Sequence, residues 1–162
     1  MKVLLTGASG FIGRRVLKRL INKKYDVHAI VNNTNLDEES VSFHKVDLLE
    51  SKKLDDLISS IKPSHLIHLA WYAKPPDFWT SVENIKWTSA SFSLLNSFFN
   101  NNGQRVVVAG TCAEYLAKES KLSETDLLQP QTLYGNSKKS LFNKLFSSID
   151  ESYQSVGWGR IF

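Results

Sequence analysis

Apolar residues along this chain fall into two alternating periods. Short runs rich in β-branched residues read as strands at Lys2–Thr6, Asp26–Val31, Ser42–Val46, His65–Ala70, Arg105–Ala109 and Gly157–Phe162. Between them, apolar residues recur at helical spacing. Phe11–Lys23 carries Ile12, Val16, Leu17, Leu20 and Ile21 on one face, and Ser51–Ile61 carries Leu54, Leu57, Ile58 and Ile61 before Pro63 closes it. Ser81–Asn101 reads as a long helix stopped by the run Asn100–Gly103, and Tyr134–Tyr153 as another. Asn32–Glu39 is polar and reads as a loop, and Glu119–Thr132 is irregular. Strand alternating with helix predicts an α/β fold, a doubly wound parallel sheet covered on both faces in three α/β/α layers, as one domain over residues 1–162.

The first strand runs into Thr6-Gly7-Ala8-Ser9-Gly10-Phe11-Ile12-Gly13, a glycine-spaced turn that opens a helix. This is the physical recipe for holding a dinucleotide's pyrophosphate in a Rossmann sheet. Gly7 allows the bend, Gly10 lets backbone approach the phosphates, and Gly13 lets the helix pack closely. Free N–H groups at the helix start then face the anion.

Farther on, Tyr134 and Lys138 stand four residues apart at the start of the last helix, on one face. An ammonium beside a phenol favours the phenolate, so the pair is expected to form an acid/base with the phenol's pKa lowered toward neutrality.

Together the glycine turn and Tyr134-x-x-x-Lys138 resemble the extended short-chain dehydrogenase/reductases, in particular the NAD-dependent epimerase/dehydratase family acting on nucleotide sugars. Further segments match in order. They are Asp47-Leu48, His68-Leu69-Ala70, Asn84, Val106–Tyr115 with Thr111, Ser123-Glu124-Thr125 with Pro130, and Trp158–Phe162. The resemblance implies that Tyr134 exchanges a proton with a sugar oxygen, that Thr111 orients that oxygen, and that Lys138 tunes the tyrosine and binds the nicotinamide ribose. It also implies a cofactor site made of Gly7, Ser9, Gly10, Phe11, Ile12, Gly13, Asn32, Asp47, Leu48, Leu69 and Ala70, with Tyr134 and Lys138 at its inner end. The implied cofactor is NAD or NADP, and the implied partner is a nucleotide-sugar substrate, with a homodimer built from the long helices.

Two departures refine this. The second strand ends Val31-Asn32-Asn33 with no carboxylate for the adenosine ribose; Asp37 and Glu38 lie too far on, while Arg14 is near, which favours NADP. Thr111 is followed by Cys112-Ala113-Glu114 rather than an Asp-Glu pair, which excludes dehydration and leaves a 4-epimerase or a 4-keto reductase. The family's C-terminal substrate domain is absent from these residues, so the chain is expected to be C-terminally truncated, to bind dinucleotide and to turn over poorly. A non-catalytic dinucleotide sensor and an inactive family member serving as a dimerisation partner are the alternative readings.

Composition changes this picture little. The apolar runs are too short to span a bilayer, and the chain opens directly on a strand, so neither a membrane anchor nor a signal peptide is expected. The single Cys112 excludes an internal disulfide and fits a cytoplasmic protein. The net charge of +4 is scattered in pairs such as Lys23-Lys24, Lys52-Lys53 and Lys138-Lys139, which fits a solvated surface rather than a nucleic-acid face. His28, His44, His65 and His68 lack metal spacing and read as structural, and Cys112 reads as small-residue packing. Trp71, Tyr72, Trp79 and Trp87 either wall a substrate pocket or fill core and dimer face.

Overall fold

The computed structural model describes residues 1–32, 36 and 38–162. Six parallel strands form one sheet in the order β3-β2-β1-β4-β5-β6, where β1 is Lys2–Thr6, β2 Asp26–Val31, β3 Val41–Lys45, β4 His65–His68, β5 Arg105–Thr111 and β6 Ser155–Ile161. The order reverses between β1 and β4, which opens a crevice at their C-terminal ends. The helices are α1 (Phe11–Asn22), α2 (Ser51–Ile61), α3 (Glu83–Asn100) and α4 (Leu133–Ser148), joined by short 3₁₀ turns at Asp77–Trp79 and Cys112–Glu114.

Alternation along the strands sorts two cores. Leu4, Leu66, Val106 and Val108 pack against α2, α3 and α4 through residues such as Ile58, Leu95, Phe98 and Leu141. Val3, Leu5, Val27 and Ala29 pack on the other face against Leu17 and Leu20 of α1. The three predicted layers are therefore present. Among the described residues α1 is the one helix in its layer, and beyond its reach Val107 of β5 is 43% exposed.

Several boundaries differ from the sequence reading, β3 (Val41–Lys45) and β6 (Ser155–Ile161) among them, and four of the differences have a clear physical reason. β4 stops at His68 because the next two amides, of Leu69 and Ala70, turn to the Thr6 hydroxyl at 3.2 Å each. β5 runs on to Thr111 because β6 pairs with it through Thr111 and Ile161. Helix α4 ends at Ser148, short of Tyr153, because Ile149 is extended and the Asp150 carboxylate accepts from the Ser152 amide and hydroxyl. α3 begins at Glu83, where the Ser81 hydroxyl accepts the Glu83 amide at 3.3 Å. The polar stretch read as a loop over Asn32–Glu39 falls partly on residues 33–35 and 37; Asn33 and Asp37 thus lie outside the described residues.

A buried polar chain ties β1, β4 and α3 together behind the crevice. The Thr6 hydroxyl oxygen accepts from Leu69 and Ala70, so its proton is free for His68 Nδ1 at 2.7 Å. That fixes the other tautomer position, and His68 Nε2–H donates to the Ser91 hydroxyl at 2.9 Å. Burial pushes His68 down to about 3, and burial also lowers His28 and His44, which stack with their nitrogens 2.8 Å apart. The unfolded chain would protonate all three near pH 6.5. The unfolded state therefore binds more protons below that value, so stability is present above about pH 6.5 and is lost as pH falls toward 3. Urea midpoints measured from pH 7 to 4 are expected to decline, and His68→Leu, although less stable throughout, should show a shallower decline. An equal slope in both proteins would refute the assignment.

Candidate functional site

The turn after β1 is shaped by its glycines. Gly7 has φ of +74°, and a Cβ there would lie 2.8 Å from the Ala70 nitrogen, so β4's exit passes directly over it. A Cβ on Gly13 would overlap the Gly7 carbonyl oxygen, so the first turn of α1 rests on the loop that precedes it. The Gly10 amide donates to the Gly7 carbonyl at 3.0 Å and closes the turn. Helix α1 has Gly10 as its N-cap, with no side-chain cap and no acidic residue in its first turn, which leaves its N-terminal amides and positive dipole end for an anion. Arg14 Nε donates to the Ser9 carbonyl at 2.9 Å and flanks the loop.

This turn forms one end of a cleft of about 550 Å³, a size that suits a small-molecule or cofactor site. Every site residue named from the sequence lines it except Gly13, whose part is the backbone contact just described. Asn32 stands at the end of β2. Asp47 and Leu48 follow β3, with the Asp47 carboxylate accepting the Leu49 amide at 2.9 Å and so fixing that corner. Leu69 and Ala70 lie at the end of β4. Trp71 and Trp87 also line the cleft, which favours the pocket-wall reading for them, although Trp71 and Trp87 also pack on the core. Trp79 instead packs edge-on against Tyr134 with ring centroids 5.7 Å apart, and Tyr72 is half-buried away from the cleft lining.

The inner end of the cleft gathers Thr111, Tyr134 and Lys138. The Thr132 hydroxyl caps α4 by accepting the Gly135 amide at 3.1 Å, which places Tyr134 and Lys138 in the first two turns of the helix. Thr111 ends β5, and its hydroxyl accepts the Ala113 amide at 3.2 Å. Phe78 and Trp79 set the Tyr134 ring edge-on. Burial raises the Tyr134 phenol above its ordinary value; the neighbouring Thr111 side chain opposes this, and the Glu114 carboxylate and Cys112 add to it. This corrects the expectation of a lysine-lowered phenol, because here desolvation is the largest influence. Lys138 is 3% exposed, and burial pushes its ammonium down to about 7 with Glu114 opposing. Its Nζ donates to the Ala109 carbonyl at 2.8 Å and lies 3.8 Å over the Trp71 ring.

Two residues named from the sequence, Glu114 only as a departure from an Asp-Glu pair and Asn84 only as a family match, have structural roles that sequence reasoning missed. Glu114 is fully buried. It accepts from the Thr111 amide at 2.8 Å, from Trp158 Nε1 at 3.1 Å and from Arg160 Nε at 2.8 Å. The spacing Thr111-x-x-Glu114 carried a signal for this, since it is a capping box. Asn84 is buried with its amide donating to the Phe78 and Ser81 carbonyls and its oxygen accepting from Trp71 Nε1 at 2.8 Å. Among the described residues no group of histidine, cysteine and carboxylate side chains could hold a metal ion, and no helix is long and apolar enough to cross a membrane.

Comparison with known proteins places the chain in a family. A family model described as the NAD dependent epimerase/dehydratase family matches residues 3–162. The chain is 27% identical over 155 residues to a dTDP-6-deoxy-L-talose 4-dehydrogenase (NAD(+)) of Aggregatibacter actinomycetemcomitans, with 90% of this chain and 54% of that protein covered. It is 24% identical over 148 residues to a dTDP-4-dehydro-6-deoxyglucose reductase of Escherichia coli, with 84% of this chain and 47% of that protein covered. A solved structure of MoeE5 in complex with UDP-glucose and NAD superposes with a TM-score of 0.83 at 29% identity, with 99% of this chain and 54% of that one covered. The chain spans about half the length of these curated relatives.

Proposed function

The chain belongs to the NAD-dependent epimerase/dehydratase family, and from that membership we propose that residues 1–162 are the dinucleotide-binding part of an enzyme that epimerises or reduces a nucleoside-diphosphate sugar at its 4-position. The observation that carries this is one cleft with an uncapped helix start and glycine turn at one end and Thr111, Tyr134 and Lys138 at the other.

The residues present fit a dinucleotide. The Gly7–Gly13 turn leaves the space that side chains would fill, and Phe11 and Ile12 open α1 on the cleft for the diphosphate. Of the cleft-lining residues, Asp47 and Leu48 would hold the adenine, Asn32 its ribose, and Leu69 and Ala70 the inner phosphate and ribose. When bound, the dinucleotide supplies the hydride exchanged with the sugar carbon. Tyr134 holds the proton that is exchanged with the sugar oxygen, and its raised pKa keeps it protonated at neutral pH, which suits the reducing direction. The Thr111 hydroxyl, on the rigid end of β5, orients that oxygen. Lys138 spends one of its three donors on Ala109 and keeps the others for ribose hydroxyls. Glu114 is fully committed to Thr111, Trp158 and Arg160, which supports the exclusion of dehydration. The intact Tyr134, Lys138 and Thr111 set favours an enzyme over a sensor. The relatives' dTDP-hexose names support a deoxyribonucleoside-diphosphate sugar as substrate class.

Between the cofactors we favour NADP. Asn32 presents an amide where a carboxylate would repel a 2′-phosphate, and the Arg14 guanidinium flanks the same turn. Isothermal titration is expected to show both NAD+ and NADP+ binding, with NADP+ at least as tight, and Arg14→Ala should weaken NADP+ more than NAD+. Heat from neither would overturn the dinucleotide reading, and tenfold tighter NAD+ would overturn the cofactor choice.

A further inference from the structure

We propose that Trp71 is a positioning residue for Lys138: its indole face, clamped by the buried Asn84, holds the ammonium against the Ala109 carbonyl and keeps it charged at the inner end of the cleft. The inference rests on the reading of Lys138 as part of the catalytic set.

Three observations converge on it. First, the ammonium lies on an aromatic face. Lys138 Nζ is 3.8 Å from the Trp71 ring centroid, well inside the range where a ring quadrupole attracts a cation, and the attraction is strongest for indole and for desolvated cations. Second, that face is fixed. Trp71 Nε1 donates to Asn84 Oδ1 at 2.8 Å, and Asn84 is itself pinned by the Phe78 and Ser81 carbonyls at 2.7 and 2.9 Å. The ring cannot turn without stranding a buried amide oxygen. Third, the same ring stands edge-on to Tyr134 at 6.5 Å, so one side chain touches both members of the pair.

The surroundings explain why such a support is needed. Among the described residues no carboxylate is in salt-bridge contact with Lys138. Glu114 attracts it through space but is paired directly with Arg160. From β4 comes His68, kept neutral by burial; from β5 come the Ala109 carbonyl and the Thr111 hydroxyl; from α4 itself comes the uncharged Tyr134 phenol. Burial weakens the ammonium, down to about 7. Without the indole the balance tips toward a neutral amine, which can still bind a hydroxyl but no longer favours charge separation at the phenol.

The test follows Lys138 itself. In protein labelled with [ε-13C]lysine, the Lys138 resonance is assigned by its loss in Lys138→Met, and its titration midpoint is read by NMR in the wild type, Trp71→Leu and Trp71→Phe. The Leu variant should titrate about one pH unit lower, a tenfold change in acid dissociation, because it removes the face. The Phe variant, which keeps a face but loses the Asn84 tether, should fall between. Should Trp71→Leu not fold, Trp71→Met removes the face equally and takes its place. A midpoint unchanged in a folded face-less variant overturns the proposal. Binding of NAD+ and of NADP+ by the wild type is measured alongside: a shifted midpoint in a protein that binds neither dinucleotide would sink the proposed function and leave this inference standing. An unchanged midpoint in a protein that binds either dinucleotide would do the reverse.

Discussion

Tyr134→Phe is expected to abolish proton exchange at the sugar oxygen while leaving the fold and the cleft intact. The substitution removes one oxygen and keeps the ring. The edge-on contacts with Phe78 and Trp79, at 5.1 and 5.7 Å, survive, as does the contact with Trp71. Dinucleotide affinity should change by less than about threefold, because the glycine turn proposed to hold the diphosphate lies at the other end of the cleft. Losing a positioned general acid costs roughly 10²–10⁴ in rate. The measurement is single-turnover oxidation of NADPH or NADH by a dTDP-4-keto-6-deoxy sugar, followed at 340 nm, with binding of the dinucleotide titrated separately. A variant that retains more than about a tenth of the wild-type rate would remove Tyr134 from the chemistry. The pH profile gives a second handle. Because burial raises the phenol, its acid form persists through neutrality, so the reducing rate should stay flat there and decline only on the alkaline side, with that limb absent in the Phe variant.

The parts of this site that could be read from the chain are those whose causes are local. The bend at Gly7 needs a residue that tolerates positive φ, and the approach of α1 to the loop at Gly13 leaves no space for a side chain. Both demands write themselves into sequence as glycines at fixed spacing, next to a strand and a helix whose periods are equally local. Tyr134 and Lys138 are legible for the same reason, since one helix turn separates them. What could not be read is set across the fold. Lys138 sits four residues from a phenol that its ammonium was expected to acidify, yet desolvation by burial in the folded protein dominates both groups. The end of β5 is decided by β6, some fifty residues away, and the partners of Glu114 on β6 are as distant. Even Asp150, which stops α4 early, acts through its side chain against an apolar pattern that would have carried the helix on.

Glu114 carries the largest stability effect expected in the molecule. Its carboxylate is fully buried and serves three donors on two elements: the Thr111 amide at the end of β5, and Trp158 Nε1 and Arg160 Nε on β6. Arg160 in turn lies between the rings of Tyr115 and Phe142, at 5.0 and 4.9 Å, and its Nη2 is buried with no acceptor among the described residues. Glu114→Ala would leave that guanidinium as an uncompensated buried cation and strand the indole and amide donors, a loss on the order of 3–5 kcal/mol. For a chain of 162 residues this corresponds to a fall in Tm of about 10 °C. Arg160→Met should cost less, because Glu114 would keep the Thr111 and Trp158 donors. The double variant should be less unstable than the sum of the two, since removing the second charge relieves the first. Thermal and urea unfolding of the four proteins measures the coupling, and strictly additive losses would show the pair to be incidental. The site should respond as well. Glu114 holds the Thr111 backbone at 2.8 Å, so even at a temperature where Glu114→Gln is fully folded, loosening this anchor should lower the single-turnover rate more than dinucleotide affinity, because Thr111 is the residue proposed to orient the substrate oxygen.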